Sequence, residues 1–379
     1  MARYFLIAGE TSGDHLGAQA MQALRAQDPA AAFLGVGGEE MTRAGLSSLF
    51  PMSDIAVMGL LPVLARLPKI LMRIRETARA AIESAPDCVV LIDAPDFTHR
   101  VARRIRSKAP HIAIVNYVCP TVWAWRPGRA RKMRAYVDHA LALLPFEPAS
   151  MREHGGPPCD YVGHPLIERL SELTPDESER RARDALTLLV LPGSRIAEIE
   201  RLAPLYGETL ARLKPAFPAL DVVIPVAPRM SAPLEKALRG WPLAPRLIAP
   251  DEKFAAFRSA RAALATSGVV TLELALAQIP LAVAYRVSAI ESPLRHLVRT
   301  PFFALPNLIL GERAVPEFLQ EAATPLALAE ALAPLLAGGA AREAQLAALA
   351  RVRALTLAAG EAPSVRAAKI IAHHAQAKL

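Results

Sequence analysis

Short apolar runs alternate with helical patterns along both halves of this 379-residue chain. Strand-like runs occur at 3–8, 33–36, 88–92, 111–118 and 139–144, and again at 187–192, 221–226, 246–249, 261–265 and 280–285. After about residue 325 the chain is rich in Ala and Leu and has helical patterns to its end. Strands that alternate with helices predict parallel sheets covered by helices on both faces. We therefore predict an α/β protein with two Rossmann-like domains and a helical C-terminal tail.

The boundary between the two domains is predicted near residues 165–180. Apolar periodicity lapses there, and Thr174-Pro-Asp-Glu177 is typical of a helix start. A chain of this length can bury two separate cores. We assign residues 1–165 to an N-terminal domain and 166–379 to a C-terminal domain, whose last helices could cross back to the first domain.

The formal net charge of +8 favours an anionic partner: a phosphate-bearing substrate, an anionic lipid surface or a nucleic acid. Cys88, Cys119 and Cys159 have neither zinc-site spacing nor a disulfide pattern, which fits a reducing compartment. The apolar run from Tyr4 to Ala8 is too short for a signal peptide. No window reaches the roughly 18 apolar residues of a membrane span. We expect a cytosolic protein or one on a membrane surface.

Two glycine- and serine-containing loops follow strands in the second half. Gly193, Ser194 and Arg195 come after the strand at 187–192 and open a helix, where backbone N–H groups and the helix dipole attract a phosphate. Arg195 could clamp that phosphate, although the same residues also fit an ordinary turn with a surface arginine. Ser267 and Gly268 form the second loop. Two such loops in one domain favour nucleotide binding.

Glu273 falls about one and a half turns into the helix that follows the second loop. Its carboxylate could accept hydrogen bonds from a ribose diol, or it could simply complement the helix dipole. The sequence has neither a Walker loop nor a Gly-x-Gly-x-x-Gly fingerprint, which disfavours NAD binding and ATP hydrolysis.

Carboxylates follow two strands of the first half. Asp93 and Asp96 come after the strand at 88–92, and Asp96 is the best candidate for a general base acting on a sugar hydroxyl. An aspartate there could instead cap the next helix. A second polar cluster after the first strand contains Glu10, Ser12, Gly13 and Asp14. His15, His99 and His164 are rival bases.

Two kinds of basic segment leave alternatives open. Residues 58–75 and 293–310 mix apolar and basic side chains, as in a helix on an anionic membrane or a core helix with a solvated face. Trp123, Trp125 and Arg126 precede a basic run at 129–134, which fits either an RNA-binding surface or the wall of a substrate cleft.

These motifs resemble those of the lipid-A-disaccharide synthase family, bacterial inverting glycosyltransferases of the GT-B type, and they span nearly the whole chain in family order. The matching stretches are Gly9-Glu-Thr-Ser-Gly-Asp14, Ile92-Asp-Ala-Pro-Asp-Phe97, Tyr117-Val-Cys-Pro-Thr-Val-Trp-Ala-Trp-Arg126, Leu144-Pro-Phe-Glu147, Val162-Gly-His164, Leu191-Pro-Gly-Ser-Arg195, Thr266-Ser-Gly268 with Glu273, Ala284-Tyr-Arg286 and Leu305-Pro-Asn307. Val269 and Cys119 depart from the family pattern, where threonine and serine are usual. The resemblance implies two domains that face each other across a cleft.

The resemblance also implies a reaction. UDP-2,3-diacylglucosamine would donate its sugar to 2,3-diacylglucosamine 1-phosphate, giving a β(1′→6) disaccharide 1-phosphate and UDP. Asp96 would be the general base, with Glu10 and Asp14 as the alternative base or acceptor-positioning groups. The nucleotide would bind Gly193, Ser194, Arg195, Ser267, Gly268, Glu273 and Asn307. The acceptor would bind Ser12, Gly13, Asp14, Trp125 and Arg126.

The implied enzyme needs no metal or other cofactor and has no nucleic-acid partner. It would lie in the cytoplasm, on the inner face of the inner membrane, and its apolar tail is compatible with a homodimer. Two other classes fit parts of the sequence. A UDP-sugar epimerase could have the same architecture without a lipid acceptor. A non-catalytic protein could use the arginine runs to bind RNA or a membrane.

Overall fold

A computed structural model describes residues 1–56, 60–226, 230–287, 300–358 and 360–376, with backbone alone for 60–65. The chain forms two compact units, one of Met1–Ile167 with Ala359–Leu379 and one of Glu168–Ala358. Each unit contains a parallel sheet with helices packed on it, which confirms the predicted α/β fold. Part of each predicted apolar-basic segment, at 58–59 and 293–299, lies outside the described residues.

The first unit is built on a seven-stranded sheet in which all neighbours are parallel. Its strands are β1 (Arg3–Ala8), β2 (Ala32–Val36), β3 (Ser47–Ser48), β4 (Cys88–Ile92), β5 (Ala113–Tyr117), β6 (His139–Ala142) and β7 (Cys159–Tyr161). Its helices before residue 168 are α1 (Thr11–Gln27), α2 (Glu39–Arg43), α3 (Leu60–Glu83), α4 (Pro95–Lys108), α5 (Gly128–Met133) and α6 (Glu147–Glu153). The strand order is β3-β2-β1-β4-β5-β6-β7.

Alternate residues of β1 pack on opposite faces of this sheet. Tyr4 and Leu6 join a core that includes side chains of α1, whereas Phe5 and Ile7 join a core that includes side chains of α3 and α4. This is the two-residue period of a strand that is buried on both sides. An apolar run without alternation therefore becomes a central strand with helices on both faces.

The second unit repeats this plan with a six-stranded parallel sheet in the order β10-β9-β8-β11-β12-β13. Its strands are β8 (Thr187–Leu191), β9 (Asp221–Pro225), β10 (Arg246–Ile248), β11 (Ala262–Thr266), β12 (Leu281–Tyr285) and β13 (Glu317–Leu319). Its helices are α7 (Leu170–Leu173), α8 (Glu177–Ala182), α9 (Ile196–Leu213), α10 (Ser231–Ala237), α11 (Lys253–Ser259), α12 (Val269–Leu276), α13 (Leu305–Leu310), α14 (Pro325–Ala337) and α15 (Ala340–Leu357).

The last described helix, α16 (Pro363–Gln376), belongs to the first unit. It packs on α1 and against β4 and β5. Ala367, Ala368, Ile371 and Ala375 lie in the same core as Tyr4 and Leu6. The three alanines let the helix lie close to the sheet, Ile371 fills the space between them, and the C-terminal helix thereby completes the core of the N-terminal unit.

Each of the ten predicted strands is present, and the observed ends differ from the predicted ones by at most two residues. The three short edge strands β3, β7 and β13 were not predicted, because two or three residues show no periodicity. Among the described helices, none is both long enough and apolar enough to cross a membrane.

Candidate active site

Each sheet reverses its strand order at one place, between β1 and β4 in the first unit and between β8 and β11 in the second. Ligands of open parallel sheets bind at such a switch point, beyond the carboxyl ends of the strands. The loops after β1 and β4 carry the Glu10–Asp14 and Asp93–Asp96 clusters. The loops after β8 and β11 carry Gly193–Arg195 and Ser267–Gly268. The predicted residues are thus grouped within each unit at the edge where a ligand is expected.

The loops after β1 and β4 are in direct contact. Ser12 Oγ donates a hydrogen bond of 3.1 Å to Asp93 Oδ2. A Cβ atom on Gly9 would lie 2.5 Å from the Cβ of Ala94, so only glycine fits at that position. Asp93 and Ala94 have φ angles of 53° and 43°, a left-handed conformation that costs energy in residues other than glycine. Strain of this kind is concentrated at functional sites.

Asp96 lies in the first turn of α4, and its side chain is 84% exposed. Arg129 Nη2 donates to Asp96 Oδ1 at 3.0 Å, and the arginine itself is largely buried. The N-cap of α4 is Ala94, with no side-chain cap bond, so Asp96 does not cap the helix. An exposed carboxylate steadied by one guanidinium at the sheet edge has the access that a general base needs.

The remaining acidic residues of this edge are held differently. Glu10 is the N-cap residue of α1, and its carbonyl accepts the N–H of Asp14. The carboxylate of Asp14 is buried and accepts the backbone N–H groups of Gly38, Glu40 and Met41 at the start of α2. Asp14 therefore has a structural task, and its part in acceptor binding stays a prediction.

Gly13 allows α1 to lie close to β4, because a Cβ atom there would lie 3.2 Å from the carbonyl oxygen of Ile92.

The three histidines that were considered as alternative bases are engaged in structural contacts or buried. His15 pairs with Glu40, and burial lowers the pKa of both His99 and His164 to about 4. A neutral, buried imidazole with so low a pKa is a weak proton acceptor at neutral pH.

The loop between β5 and α5 contains Trp123, Trp125 and Arg126, the aromatic and basic residues singled out in the sequence. Val118 and Arg126, near its two ends, have φ angles of 81° and 52°. The Arg126 guanidinium lies 4.1 Å from the centre of the Trp125 ring, and Trp125 is 37% exposed. A positive φ at the β-branched Val118 is unusual and marks a backbone held in place by its surroundings. The stacked pair forms a cationic surface with an apolar side.

In the second unit, Glu198 lies against the loop after β8. Glu198 Oε2 accepts the Ser194 N–H at 3.2 Å, and Glu198 Oε1 accepts a hydrogen bond from Arg195 Nη1 at the same distance. A Cβ atom on Gly193, which has a φ of 115°, would lie 2.5 Å from Glu198 Oε2. The carboxylate thus makes the contacts that a phosphate would make at this helix start. The Arg195 side chain is 64% exposed and can turn toward a ligand.

The loop after β11 is anchored by tertiary contacts. Ser267 Oγ donates to the Phe303 carbonyl at 2.7 Å, so its hydroxyl is already used within the unit. Gly268 has a φ of 133° and open space where a side chain would be. Glu273 is mostly buried and forms an ion pair with Lys253, with 2.5 Å between Nζ and Oε2. The ion pair with Lys253 thus fixes the orientation of the Glu273 carboxylate before any ligand hydroxyl binds to it.

Asn307, in α13, has a side-chain amide that is bound to the backbone of its own unit. Its side chain is fully buried, its Oδ1 accepts the N–H groups of Ala314 and Val315, and its Nδ2 donates to the Val315 carbonyl. Contact between the Asn307 amide and a nucleotide stays a prediction, and this geometry assigns the amide to the backbone of the segment after α13. Glu317 Oε2 accepts the N–H groups of Phe303 and Ala304 and so fixes the segment that precedes α13.

Sequence reasoning missed Glu198, Lys253 and Glu317. Glu198 lies three residues after the N-cap residue of α9, where a capping box has Glu or Gln. The N-cap residue is Arg195 and not Ser or Thr, so the capping-box pattern could not be recognised in the sequence. Lys253 and Glu317 act on residues 20 and 14 positions away. Only the folded chain brings them to the site.

Solved structures share this two-sheet fold. The UDP-GlcNAc 2-epimerase of Neisseria meningitidis has a TM-score of 0.61 at 12% identity and covers 98% of this chain and 99% of that one. MurG of Acinetobacter baumannii has a TM-score of 0.59 at 14% identity, and the match covers 98% of this chain and 100% of the MurG chain. At this level of identity the likeness shows the fold alone. The two parallel sheets and these structural relatives define the class of the fold as GT-B.

The particular family is given by the sequence comparisons. The family model described as lipid-A-disaccharide synthetase matches residues 4–370. The lipid-A-disaccharide synthase of Nitrobacter hamburgensis is 52% identical over 374 residues, covering 97% of this chain and 94% of that protein. The lipid-A-disaccharide synthase of Rhodopseudomonas palustris strain HaA2 is 50% identical over 374 residues, covering 97% of this chain and 95% of that protein. The chain belongs to the lipid-A-disaccharide synthase family and is a glycosyltransferase, as the resemblance implied; the epimerase and the non-catalytic alternatives are not favoured.

Proposed function

We propose that the protein transfers 2,3-diacylglucosamine from UDP-2,3-diacylglucosamine to 2,3-diacylglucosamine 1-phosphate. The products are a β(1′→6) disaccharide 1-phosphate and UDP, with inversion at the anomeric carbon. The observation that carries the proposal is the family match, which runs from residue 4 to residue 370 and so includes both sheets and both pairs of switch-point loops.

The donor binds the second unit in this proposal. Gly193, Ser194, Arg195, Ser267 and Gly268 hold the diphosphate, and Glu273 accepts hydrogen bonds from the ribose. The exposed guanidinium of Arg195 and the helix start behind it support this assignment, because both stabilise the charge that develops on departing UDP. Asn307 orders the backbone around the nucleotide. Leaving-group stabilisation by these cationic and N–H donors requires no metal.

The acceptor binds the first unit in this proposal, near Ser12, Gly13, Asp14, Trp125 and Arg126. Asp96 takes the proton from the acceptor 6-hydroxyl, and that oxygen attacks the anomeric carbon in line. The reaction has the logic of inverting glycoside hydrolysis, with a sugar hydroxyl in place of water. The exposure of Asp96 and its hydrogen bond with Arg129 support the choice. Glu10, at the N-cap of α1, is the alternative base.

We further propose that the protein works in the cytoplasm on the inner face of the inner membrane, as a homodimer. A groove of about 800 Å³ between α3 and α4 supports membrane contact. Its apolar lining residues are Met72, Ala78 and Ile82. Its charged lining is mostly cationic, with Arg73, Arg75, Arg79, Arg104 and Lys108 against Glu76 and Glu83, which pair with Arg73 and Arg79. Such a surface attracts anionic headgroups. Sedimentation with vesicles of anionic and of zwitterionic lipid tests this part separately.

An assay with radiolabelled acylated glucosamine 1-phosphate and the matching UDP donor tests the reaction. The expected product is a disaccharide 1-phosphate identified by mass, formed only when both substrates are present. Absence of disaccharide with short and with long acyl chains would overturn the proposal. Incubation with UDP-N-acetylglucosamine alone is the control for epimerase activity, and we expect no epimer to form.

A further inference from the structure

Glu147 is a buried carboxyl group at the edge of the first sheet. It is the first residue of α6, in the Leu144-Pro-Phe-Glu147 motif, and it is only 4% exposed. Glu147 Oε2 accepts the backbone N–H groups of Leu143 and Leu144 at 3.0 and 2.9 Å. Glu147 Oε1 accepts the indole N–H of Trp123 at 3.4 Å. One carboxylate therefore ties the end of β6 to the loop that follows β5.

The Trp123 side chain is held on a second side by Phe146. The two rings meet edge to face, with 5.3 Å between their centres. The backbone N–H groups of Ala124 and Trp125 both donate to the Thr121 carbonyl, so residues 121–125 form one tight turn. A shift of Trp123 would move this turn and, with it, the stacked Trp125 and Arg126 side chains.

We propose that Glu147 is a positioning residue of the acceptor site: its carboxylate fixes Trp123 and thereby the cationic surface formed by Trp125 and Arg126. The inference rests on the proposed function, in which that surface is part of the acceptor site. Glu147 itself touches no substrate. Its effect is on acceptor binding and leaves the donor, which binds the other unit, unchanged.

The charge of Glu147 decides whether the contact is made. Burial raises the pKa of Glu147 to about 7, against the lowering effect of its hydrogen bonds with Leu144, Trp123 and Leu143. In the acid form, a proton on Oε1 would face the indole N–H, and two donors cannot bond to each other. The contact is therefore strongest when the carboxyl group is ionised, and it weakens as the pH falls through about 7.

Other titratable groups face Glu147. The Cys119 thiol belongs to the loop after β5 and lies 3.4 Å from the Cys159 sulfur. Its hydrogen bond with Cys159, together with burial, raises its pKa. Tyr161 of β7 has a pKa raised to about 12 by burial, and Arg366 of α16 lies near Tyr161. Neither the thiol nor the phenol changes charge near pH 7, so Glu147 is the group in this cluster that titrates there.

The test compares Glu147→Gln and Trp123→Phe with wild type, measuring kcat and the KM of each substrate at several pH values between 6 and 9. Trp123→Phe keeps an aromatic ring and removes the indole N–H. At pH 8 we expect both variants to raise acceptor KM roughly tenfold, the value of one hydrogen bond to a charged group, with donor KM unchanged. Glu153→Gln, at the exposed end of α6, is the matched control and should behave as wild type.

The pH profile separates positioning from a merely structural role. Wild-type acceptor KM should rise as the pH falls through 7, and this rise should be smaller in both variants. The acceptor phosphate also titrates near pH 6, but it does so equally in all three proteins. A buried carboxyl with a raised pKa destabilises the fold as the pH rises, so Glu147→Gln should unfold at no lower urea concentration than wild type at pH 8.

The inference is overturned if Glu147→Gln keeps wild-type acceptor KM, if the pH-dependent rise persists unchanged in it, or if donor KM rises equally. Failure of the proposed function looks different, because the wild-type protein itself would then form no disaccharide.

Discussion

Lys253 and Glu273 form an ion pair between α11 and α12, with 2.5 Å separating Nζ from Oε2. The carboxylate is 12% and the lysine 29% exposed, so neither is fully hydrated. The Lys253 ammonium also lies 5.4 and 5.3 Å from the ring centres of Phe254 and Phe257. The lysine thus fixes the carboxylate that we propose for ribose binding, before any nucleotide arrives.

Lys253→Met keeps the length of the side chain and leaves the Glu273 carboxylate without its cation. We expect a loss of about 1–3 kcal/mol in the free energy of unfolding, because a buried charge loses its partner. Glu273→Gln should weaken UDP binding roughly tenfold by removing a charged acceptor. Urea unfolding and calorimetric titration with UDP measure the two effects. The double variant should recover stability without UDP affinity; recovery of both would contradict the ribose assignment.

Arg195→Ala should lower kcat/KM and weaken UDP binding by about 10–100-fold, since a charge-assisted hydrogen bond to phosphate is lost. The side chain is mostly exposed, so the melting temperature should not change. Steady-state kinetics and UDP titration provide the measurements. Arg212→Ala, at the exposed end of α9, is the control for loss of one positive charge. Unchanged UDP affinity in Arg195→Ala would refute the phosphate assignment.

Glu198→Gln should act in the opposite direction. It removes a negative charge that lies against Ser194 N–H and Arg195, where we propose that the diphosphate binds. We expect UDP to bind about two- to fivefold more tightly, the usual size of such a partly screened interaction. Calorimetric titration at two salt concentrations would show the gain shrinking at high salt. Weaker binding would mean instead that Glu198 is needed to shape the loop.

Asp96→Asn should lower kcat by about 10²–10⁴-fold, the range for loss of a general base. The Asp96 carboxylate is mostly exposed, and an asparagine oxygen can still accept the hydrogen bond from Arg129, so the variant should keep the wild-type melting temperature. Single-turnover kinetics with saturating substrates isolates the chemical step. A near-normal rate in a folded protein would move the role to Glu10, and Glu10→Gln would then show the large loss.

His99 makes stability depend on pH. Burial lowers its pKa from 6.5 to about 4, and its ring bonds with Asn116 and Tyr136. The unfolded chain therefore binds a proton between pH 6.5 and 4 that the folded chain does not, so stability is full above 6.5 and falls as the pH drops. His99→Gln should reduce the difference between urea midpoints at pH 7.5 and pH 5. An unchanged difference would assign the effect to other groups, such as His164.

The fold was predictable because each buried strand is an apolar run and each connection contains a helix. The sequence could not show the β1–β4 and β8–β11 switch points directly, since strand order depends on packing between distant segments. It did show that polar loops follow these strands. The general rule for parallel sheets then predicted a candidate site at the carboxyl edge of each sheet, where the structure groups these loops.

The partners of the site residues were beyond prediction. Asp14 looked like an acceptor ligand, yet its carboxylate faces N–H groups 24 to 27 residues away. Asn307 looked like a nucleotide ligand, yet its amide is buried in the turn of its own segment. Each is a polar residue in a family motif, and a motif does not reveal which side of the backbone the side chain is on.

The position of α16 has a consequence for synthesis. The N-terminal unit needs Ala367, Ala368 and Ile371 to close its core, and the ribosome makes these residues after the whole second unit. The core of the N-terminal unit therefore cannot close before the end of the chain has been made. A shortened C-terminus would open the core at the opposite end of the sequence.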